Sequence, residues 1–423
     1  MHPRKLPLEL SDHIIDFLWL DRSALVACSL TCRAWLRRSR YHLFRTVELC
    51  GEADCLRLEN LLTSSLAASS GIPFYIRDLT IHSCNLVPGN KLPQAAKTSW
   101  MGRFLPKLFT SLTAVECLQL TGMDWQRDFQ EARDAFLTSF PALQVIILDD
   151  VRFEESIHVL RLLASHPLLN TICMIDVFWI VESPFLVEGD QWAHAGKIGI
   201  NELMVHDGVS DCGTSIAASV VDAPFKMSLT RLSWASSSAL ESVVKLGKVI
   251  EKAGPSLEDL SLYLTPESGG EAAYPADHIS LAHLINLKSL SLKCCFAAMP
   301  TAKDTAYIPA LLSQVCAARY IRMNIFLTDS PPIQLGLLDW ESIDKTLASL
   351  GKRLPRLVVV LYIRPRYRTL GWADEVISAI TAYLPESQVA GTRVRLLCSM
   401  SATRHPDHEQ LREHWLSLYC DSK

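Results

Sequence analysis

Few residues in this chain could carry chemistry, and their spacing argues against a catalytic or metal site. His405, His408 and His414 lie close together, but the last two are six residues apart and would not share one helix face around a metal. Cys28 and Cys32 lack the second pair of ligands that a zinc site needs. The segment with the three histidines is better explained as a capped C-terminal helix. We therefore expect no metal and no cofactor.

Motifs of known enzyme classes are also missing from the sequence. It contains no Walker-type phosphate loop, no Gly-x-Ser-x-Gly elbow and no His-Glu-x-x-His helix. Cys294 and Cys295 directly follow a predicted strand and are expected to pack or to face the sheet. We expect a protein that is not an enzyme, with a cryptic enzyme as the weakest alternative.

Composition sets the class of protein and its surroundings. Hydrophobic residues make up 49% of the 423 positions and charged residues 20%, which predicts a folded chain with a large core. The net charge of −4 gives no reason to expect nucleic acid or an anionic membrane as the partner. Asp12 and Asp16 interrupt any N-terminal signal sequence, and thirteen cysteines are scattered without a framework spacing. We expect an intracellular chain, in the cytoplasm, the nucleus or both.

The first forty-five residues predict three short helices. Pro7 suits the first turn of a helix, and Asp21 or Ser23 can cap a second helix. A third helix is predicted from Thr31 to Arg40. Such short helices leave apolar residues on more than one face. The segment therefore either packs only against the domain that follows or docks on a second protein.

The residues at these positions resemble the F-box, over residues 5–45. The similarity lies in Leu6-Pro7-x-Glu9-Leu10, Ile14, Leu18, Asp21, Leu25, Cys32-Arg33 and Trp35, in that order. F-boxes bind the Skp-type adaptor of a cullin-based (SCF) ubiquitin ligase. The resemblance implies that one group of residues faces the adaptor: Leu6, Pro7, Leu10, Ile14 and Leu18. It implies that Leu25, Cys32 and Trp35 complete the interface or hold the three helices together.

The rest of the chain repeats one pattern, apolar-x-x-apolar-x-apolar. Six of the seven gaps between its clear copies lie between 26 and 31 residues. The fourth positions of these copies are Leu79, Leu118, Ile146, Ile172, Leu203, Leu232, Leu260 and Leu290. Fainter copies occur at 320–323, 354–360 and 392–396, and two alignments fit the apolar run near Leu357–Val360. Each repeat is expected to contribute one strand.

Helical spacing appears between the strands, at 129–140, 155–166 and 239–254. The unit is strand, loop, helix and turn, and stacking such units closes the apolar edge that each leaves open. This resembles an irregular leucine-rich-repeat solenoid, which implies an α/β fold with a parallel sheet on the concave side and helices on the convex side. We predict an F-box at 1–48 and the solenoid at 49–423. A doubly wound α/β domain is the alternative, but the Gly-rich turn usual after its first strand is missing.

Residues between the apolar positions of the later strands suggest what the solenoid binds. Lys293 is one of them, and five more are aromatic or basic, namely Tyr320, Arg322, Arg356, Arg393 and Arg395. Because guanidinium groups bind carboxylate and phosphate, we hypothesise that this face holds an acidic or phosphorylated protein substrate. An ordinary solvated face is the alternative. The resulting prediction is an SCF substrate receptor that contacts a cullin through the adaptor, with an adaptor-bound scaffold outside ubiquitination as the alternative.

Overall fold

The computed structural model describes residues 7–64, 71–83, 99–128, 132–181, 199–206, 226–237, 240–265, 275–295, 305–327, 335–365, 371–399 and 411–415. These residues form helices and strands in alternation, and the strands are mostly parallel, which confirms the predicted α/β class. The chain divides into two compact units, the first of residues 1–200 with 222–226 and the second of the remainder. The predicted boundary at residue 48 lies inside the first unit and stays a prediction.

The first unit begins with three helices, as predicted: α1 (Leu8–Phe17), α2 (Arg22–Thr31) and α3 (Arg33–Arg45). The carbonyl of Pro7 accepts the first hydrogen bond of α1, from the backbone N–H of Ser11. Of the two candidate caps for α2, Asp21 takes the role, since its carboxylate accepts from the backbone N–H of Ala24 at 2.9 Å. Helix α3 runs past its predicted end at Arg40.

The remaining elements of the first unit alternate between strand and helix. They are β1 (Thr46–Leu49), α4 (Glu52–Thr63), β2 (Asp78–His82), α5 (Ser99–Phe109), β3 (Cys117–Asp124), α6 (Trp125–Asp128), α7 (Arg133–Thr138), β4 (Val145–Glu155), α8 (Ser156–Ala164), β5 (Thr171–Ile175) and β6 (Phe178–Val181). Strands β1 to β5 lie side by side in chain order and run parallel, and β6 also pairs with β4. A doubly wound sheet would reverse its strand order part-way, and this order does not.

The second unit repeats the same alternation. It contains nearly all of β7 (Gly199–His206) and β8 (Lys226–Ser237), then α9 (Leu240–Ala253), β9 (Asp259–Thr265), α10 (Pro275–His278), β10 (Ser289–Cys295), α11 (Tyr307–Ser313), β11 (Tyr320–Leu327), α12 (Trp340–Arg353), β12 (Val358–Pro365), α13 (Trp372–Tyr383), α14 (Pro385–Val389), β13 (Arg393–Ser399) and β14 (Leu411–Trp415). Strands β8 to β13 are parallel and in chain order.

The last strand corrects the predicted C-terminal helix. Leu411–Trp415 is extended and pairs antiparallel with β13, with Leu396 opposite His414. The exposed edge of a sheet offers a row of backbone N–H and C=O groups, and pairing with it outweighs a short helical pattern. His405 and His408 lie outside the described residues.

The strand register aligns seven of the eight predicted central apolar residues in two rows. In the first unit Leu79, Leu118, Ile146 and Ile172 pair directly across β2 to β5. In the second unit one row joins Leu232, Leu260, Leu290, Ile321, Val359 and Val394. Every member of both rows is at most 2% exposed. The ambiguous alignment near Leu357–Val360 is thereby resolved, because Val359 occupies the row.

A ladder of left-handed residues distinguishes the first unit. Gly122, Asp150 and Asp176 have φ of 68°, 52° and 49°, and each lies four residues after the central apolar residue of its repeat. Glycine and aspartate tolerate this conformation better than bulky residues do. Just beyond the left-handed residues, Trp125 at the start of α6 and Phe153 in β4 are buried, with their ring centroids 5.5 Å apart. The alternation of buried and exposed residues shifts by one position at each left-handed residue of the ladder. This shift directs the aromatic side chains into the core.

Candidate functional site

Helices α1 and α2 and the turn between them carry a group of exposed apolar side chains, which we call the α1–α2 apolar surface. Its members are between 44% and 81% exposed: Leu8, Leu10, Ile14, Phe17, Trp19, Leu20, Val26 and Leu30. Leu10, Ile14 and Phe17 follow a spacing of four and three, so they share one face of α1. Val26 and Leu30 share a face of α2 in the same way. Large apolar side chains gathered like this mark a docking site more often than an ordinary surface.

Most of the residues predicted to face an adaptor are accessible. Pro7, Leu10 and Ile14 are exposed, and Leu18 is half-buried. Leu6 lies outside the described residues.

The other three predicted residues differ among themselves. Cys32 is exposed and Trp35 is half-buried, so both can contribute to an interface. Leu25 is only 2% exposed, which favours the packing role that the sequence left open for it. It shares the interior of the three helices with Ile15 and with the small side chain of Ser39, both fully buried.

Sequence reasoning did not assign Leu8, Phe17, Trp19, Leu20, Val26 and Leu30 to this surface. Their apolar type was visible in the sequence, and Phe17 lies next to Leu18, which was assigned to the adaptor contact. Which apolar residues of a short helix are left outside depends on how the helices cross, and periodicity alone does not give that crossing.

An ionic cluster ties α1 to α3 beneath this surface. The Asp16 carboxylate accepts two hydrogen bonds from Arg38, at 2.5 Å from Nε and 2.8 Å from Nη2, and lies 2.7 Å from His42 Nε2. The hydrogen bond from Arg38 lowers the pKa of Asp16 to about 2, against the opposing effect of burial. The guanidinium of Arg38 also lies 4.9 Å from the ring centroid of Tyr41. The cluster fixes the orientation of α1.

A depression of about 650 Å³ adjoins the apolar surface. Trp19 and Leu20 contribute to its wall, together with the polar side chains of Arg22, His42 and Arg45. An apolar edge beside convergent polar groups can accept a side chain or a chain end of a bound protein.

A second candidate region is the exposed or half-buried side of β10 to β13, which we call the basic strand face. Two of its rows join Tyr320, Val358 and Arg393, and Arg322, Val360 and Arg395. Tyr320 is 56% exposed, Arg322 is exposed, and Arg393 and Arg395 are half-buried. Four of the five predicted substrate residues thus come together. Arg356 is exposed but precedes β12 and lies outside these rows.

Cations in the neighbouring strands of the second unit face carboxylates. Arg231 on β8 lies 3.6 Å from Glu202 and 3.5 Å from Asp259, its neighbours on either side. Lys288, just before β10, bonds to Glu258 at 2.5 Å. By contrast, the sequences of β10 to β13 contain no aspartate or glutamate.

Two aspartates lie on β4 of the first unit, three and four residues after its central apolar residue Ile146. Burial, followed by the charge of Asp176, raises the pKa of Asp149. Burial, followed by the charge of Asp149, also raises the pKa of Asp150. Arg322 lies only one residue after the central apolar residue of its own repeat, so these aspartates and the arginines of the second unit occupy different positions of their repeats.

Two cysteines of the first unit, Cys55 and Cys117, are poorly suited to nucleophilic chemistry. Burial raises the pKa of Cys55 to about 12 and that of Cys117 to about 11, which keeps both thiols protonated and unreactive at neutral pH. Among the described residues no cluster of three or more histidine, cysteine, aspartate or glutamate side chains could hold a metal ion. Within the same ranges, no helix has the length and apolarity needed to cross a membrane.

No protein-family model matches the chain, and no curated protein matches it. A functional assignment therefore depends on the residues and contacts described above.

Proposed function

We propose that this chain is an F-box subunit of a cullin-based (SCF) ubiquitin ligase, acting inside the cell. Its N-terminal helices bind a Skp-type adaptor, and its repeat sheet, which resembles an irregular leucine-rich-repeat solenoid, holds a protein substrate. The observation that carries the proposal is the α1–α2 apolar surface, which lies on the segment with F-box-like residues and remains exposed beside the rest of the described chain.

The energetics of that surface favour a protein partner. Full burial of one large apolar side chain contributes about 1.5–3 kcal/mol. A few anchors dominate most interfaces, and aromatic side chains are the commonest among them. Phe17 and Trp19, at 75% and 61% exposed, are suitable anchors. The alternative in which this segment packs only on its own following domain leaves these side chains without a role.

The repeat sheet supports the second half of the proposal. Its strands follow one another in chain order in each unit, with one buried apolar row per unit, as stacked repeats require. Strand β1 spans the proposed boundary between F-box and solenoid at residue 48, because Val47 pairs with Leu79. The docking helices are thus joined to the sheet without a linker.

The proposed mechanism is proximity. The adaptor connects the chain to a cullin, and the substrate held on the sheet is brought near a ubiquitin-charged enzyme, which raises the local concentration of the reacting groups. The catalytic groups belong to other proteins, and no side chain of this chain takes part in a bond-breaking step.

The proposal is tested by capturing the full chain from cells with its partners. We expect the Skp-type adaptor and a cullin to co-purify with the wild-type protein and to be lost with the double variant Leu10→Asp/Ile14→Asp. The matched control is Ile285→Asp, which changes an equally exposed apolar residue of the second unit. Equal recovery of adaptor with both variants would contradict the proposal.

The same capture separates ubiquitination from a scaffold role. A ubiquitin-modified client that disappears with Leu10→Asp/Ile14→Asp supports the ligase subunit. Adaptor without cullin or modified client would favour an adaptor-bound scaffold that acts outside ubiquitination.

A further inference from the structure

The basic strand face has a spacing that suits several separate negative charges. Neighbouring strands lie about 4.8 Å apart, so the Cα atoms of Arg322 and Arg395, with Val360 between them, are about 10 Å apart. Arg393 lies on the same side of β13, two residues before Arg395, which is about 6–7 Å along the strand. Lys293 on β10 extends the positive charge toward the next row.

The charge of these four strands has one sign. They contain Lys293, Arg322, Arg364, Arg393 and Arg395 and no acidic residue, whereas Arg231 in β8 lies between two carboxylates. A strand face whose charged side chains are all positive is complementary to an anionic partner. Charge complementarity of this kind determines which partners bind and how fast they associate.

One contact holds a central cation in place. The guanidinium of Arg322 lies 5.4 Å from the ring centroid of Tyr362 on the next strand. A guanidinium stacked on an aromatic face keeps its N–H groups directed outward at a smaller cost in side-chain entropy. On the same strand Asn324 donates to the Ser291 hydroxyl at 2.9 Å, so this part of the face is rigid.

The neighbours of the cations favour a polypeptide. Tyr320 is exposed, and Val358 and Val360 are half-buried between the arginines, so apolar surface alternates with charge. A nucleic acid requires a broad basic surface, but this chain has a net charge of −4. A single phosphate would be held by cations that converge on one point, and these cations are spread along two rows.

We infer that the basic strand face binds an extended protein segment rich in aspartate and glutamate, with Arg322, Arg393 and Arg395 as its carboxylate contacts and Tyr320 as an apolar contact. As the substrate contact of a ligase subunit, this inference rests on the proposed function. Binding of an acidic segment by the face is measured without the adaptor, so the two can fail separately.

The experiment uses the purified full chain and fluorescence anisotropy of a labelled peptide of alternating glutamate and glycine. We expect binding that weakens steeply with added salt, and no binding of the glutamine–glycine peptide. Arg322→Glu should weaken binding of the acidic peptide at least about tenfold, and Arg322→Gln should weaken it less. Lys248→Glu, an equal charge change at an exposed position of α9, should leave it unchanged.

Several results would overturn the inference. One is that the glutamine–glycine peptide binds as tightly as the acidic peptide. Another is that a phosphoserine peptide or a single-stranded oligonucleotide binds more tightly than the acidic peptide. A third is that Lys248→Glu weakens binding of the acidic peptide as much as Arg322→Glu does. The adaptor titration is run on the same Arg322 variants and checks that they are folded. Adaptor binding without acidic-peptide binding removes this inference and leaves the proposed function, whereas the reverse result removes the proposed function alone.

Discussion

Regularly spaced apolar side chains are buried on the strands, whereas many of them are exposed on the first two helices. Leu260 and Ile321, at the centres of their strands, are at most 1% exposed, whereas Phe17 and Leu30, on the helices, are 75% and 81% exposed. All four occupy regularly spaced apolar positions. The pattern therefore identifies residues that need a partner surface, and the architecture decides whether that surface lies in the same chain.

The physical reason lies in what each element can cover. A repeat leaves one apolar edge open, and the next repeat closes it. Three short helices enclose a single interior, which Ile15, Leu25 and Ser39 already fill. Apolar residues on the remaining helix faces stay exposed in this chain, and for this reason we propose a protein partner for them.

The largest expected effect is the difference in stability between substitutions at a buried strand position and at an exposed helix position. Leu260→Ala should lower the free energy of unfolding by about 2–5 kcal/mol, because it opens a cavity in a fully packed row. Leu20→Ala, at a position 76% exposed, should change it by less than about 0.5 kcal/mol. Urea unfolding of both variants provides the measurement. Similar losses of unfolding free energy for the two variants would contradict the difference between buried strand positions and exposed helix positions.

A buried polar contact in the second unit should have the next largest effect. The Asp344 carboxylate on α12 accepts from the backbone N–H groups of Glu386 at 2.7 Å and Ser387 at 2.8 Å. Asp344→Ala should cost about 3 kcal/mol, because it leaves the buried N–H of Ser387 and the partly buried N–H of Glu386 without this acceptor. Asp21→Ala removes an exposed cap, where water can replace the carboxylate, and should cost less. The difference between the two urea midpoints measures the effect, and equal midpoints would contradict it.

Acid should weaken the first unit while leaving the α1–α3 ionic cluster intact. Burial lowers the pKa of His166 to about 4 from 6.5, so the folded state resists protonation and stability falls as pH drops from about 6.5 to about 4. The loss approaches about 3 kcal/mol at the lower end. Asp16 keeps its charge throughout this range, because its pKa of about 2 confines its loss to more acidic solutions.

The measurement for that prediction is urea unfolding across the same pH range. His166→Gln should flatten the pH dependence relative to the wild-type protein. An unchanged slope would show that other groups cause the acid sensitivity.

The smallest effect is expected at the ionic cluster. Asp16→Asn removes the charge that orients Arg38 and His42, but it leaves the α1–α2 apolar surface in place. We expect adaptor affinity to fall by less than about tenfold, since partly exposed ion pairs contribute little. Surface plasmon resonance with immobilised adaptor measures the change. A loss of adaptor affinity as large as that of Leu10→Asp/Ile14→Asp would contradict this prediction. It would show that adaptor binding depends on the ionic cluster as much as on the apolar contacts.

Much of the sheet follows from the sequence, because an apolar period of two on strands about 28 residues apart fixes both the strands and their register. The strands at 320–323 and 392–396 were faint in pattern yet take their places in the row, at Ile321 and Val394. The three N-terminal helices and the Asp21 cap were also predictable, since capping is a local effect.

Other features depend on tertiary context. Strand β1 is only four residues long, and pairing with β2 defines it. The left-handed ladder had a local signal in Gly122, Asp150 and Asp176, but only the structure aligns these residues. Strand β14 overrides a helical pattern because β13 offers an open edge.

The sequence predicted the types of residue in the candidate sites, but it did not predict which of them lie together on a surface. Lys293 and the arginines of β11 and β13 were identified, but Tyr362 joins them only through the strand register. Leu25, for which the sequence left both a contact and a packing role open, is buried, whereas Phe17 and Trp19, which were not assigned, are exposed. Exposure depends on how elements pack, which a single sequence does not specify.

The central claim is that the α1–α2 apolar surface binds a Skp-type adaptor, and calorimetric titration of the purified full chain with that adaptor at several temperatures tests it most directly. We predict a one-to-one complex with a negative heat-capacity change, as apolar burial requires, that is abolished by Leu10→Asp/Ile14→Asp and kept by Ile285→Asp. Absence of binding by the wild-type chain, or undiminished binding by Leu10→Asp/Ile14→Asp, would contradict the claim.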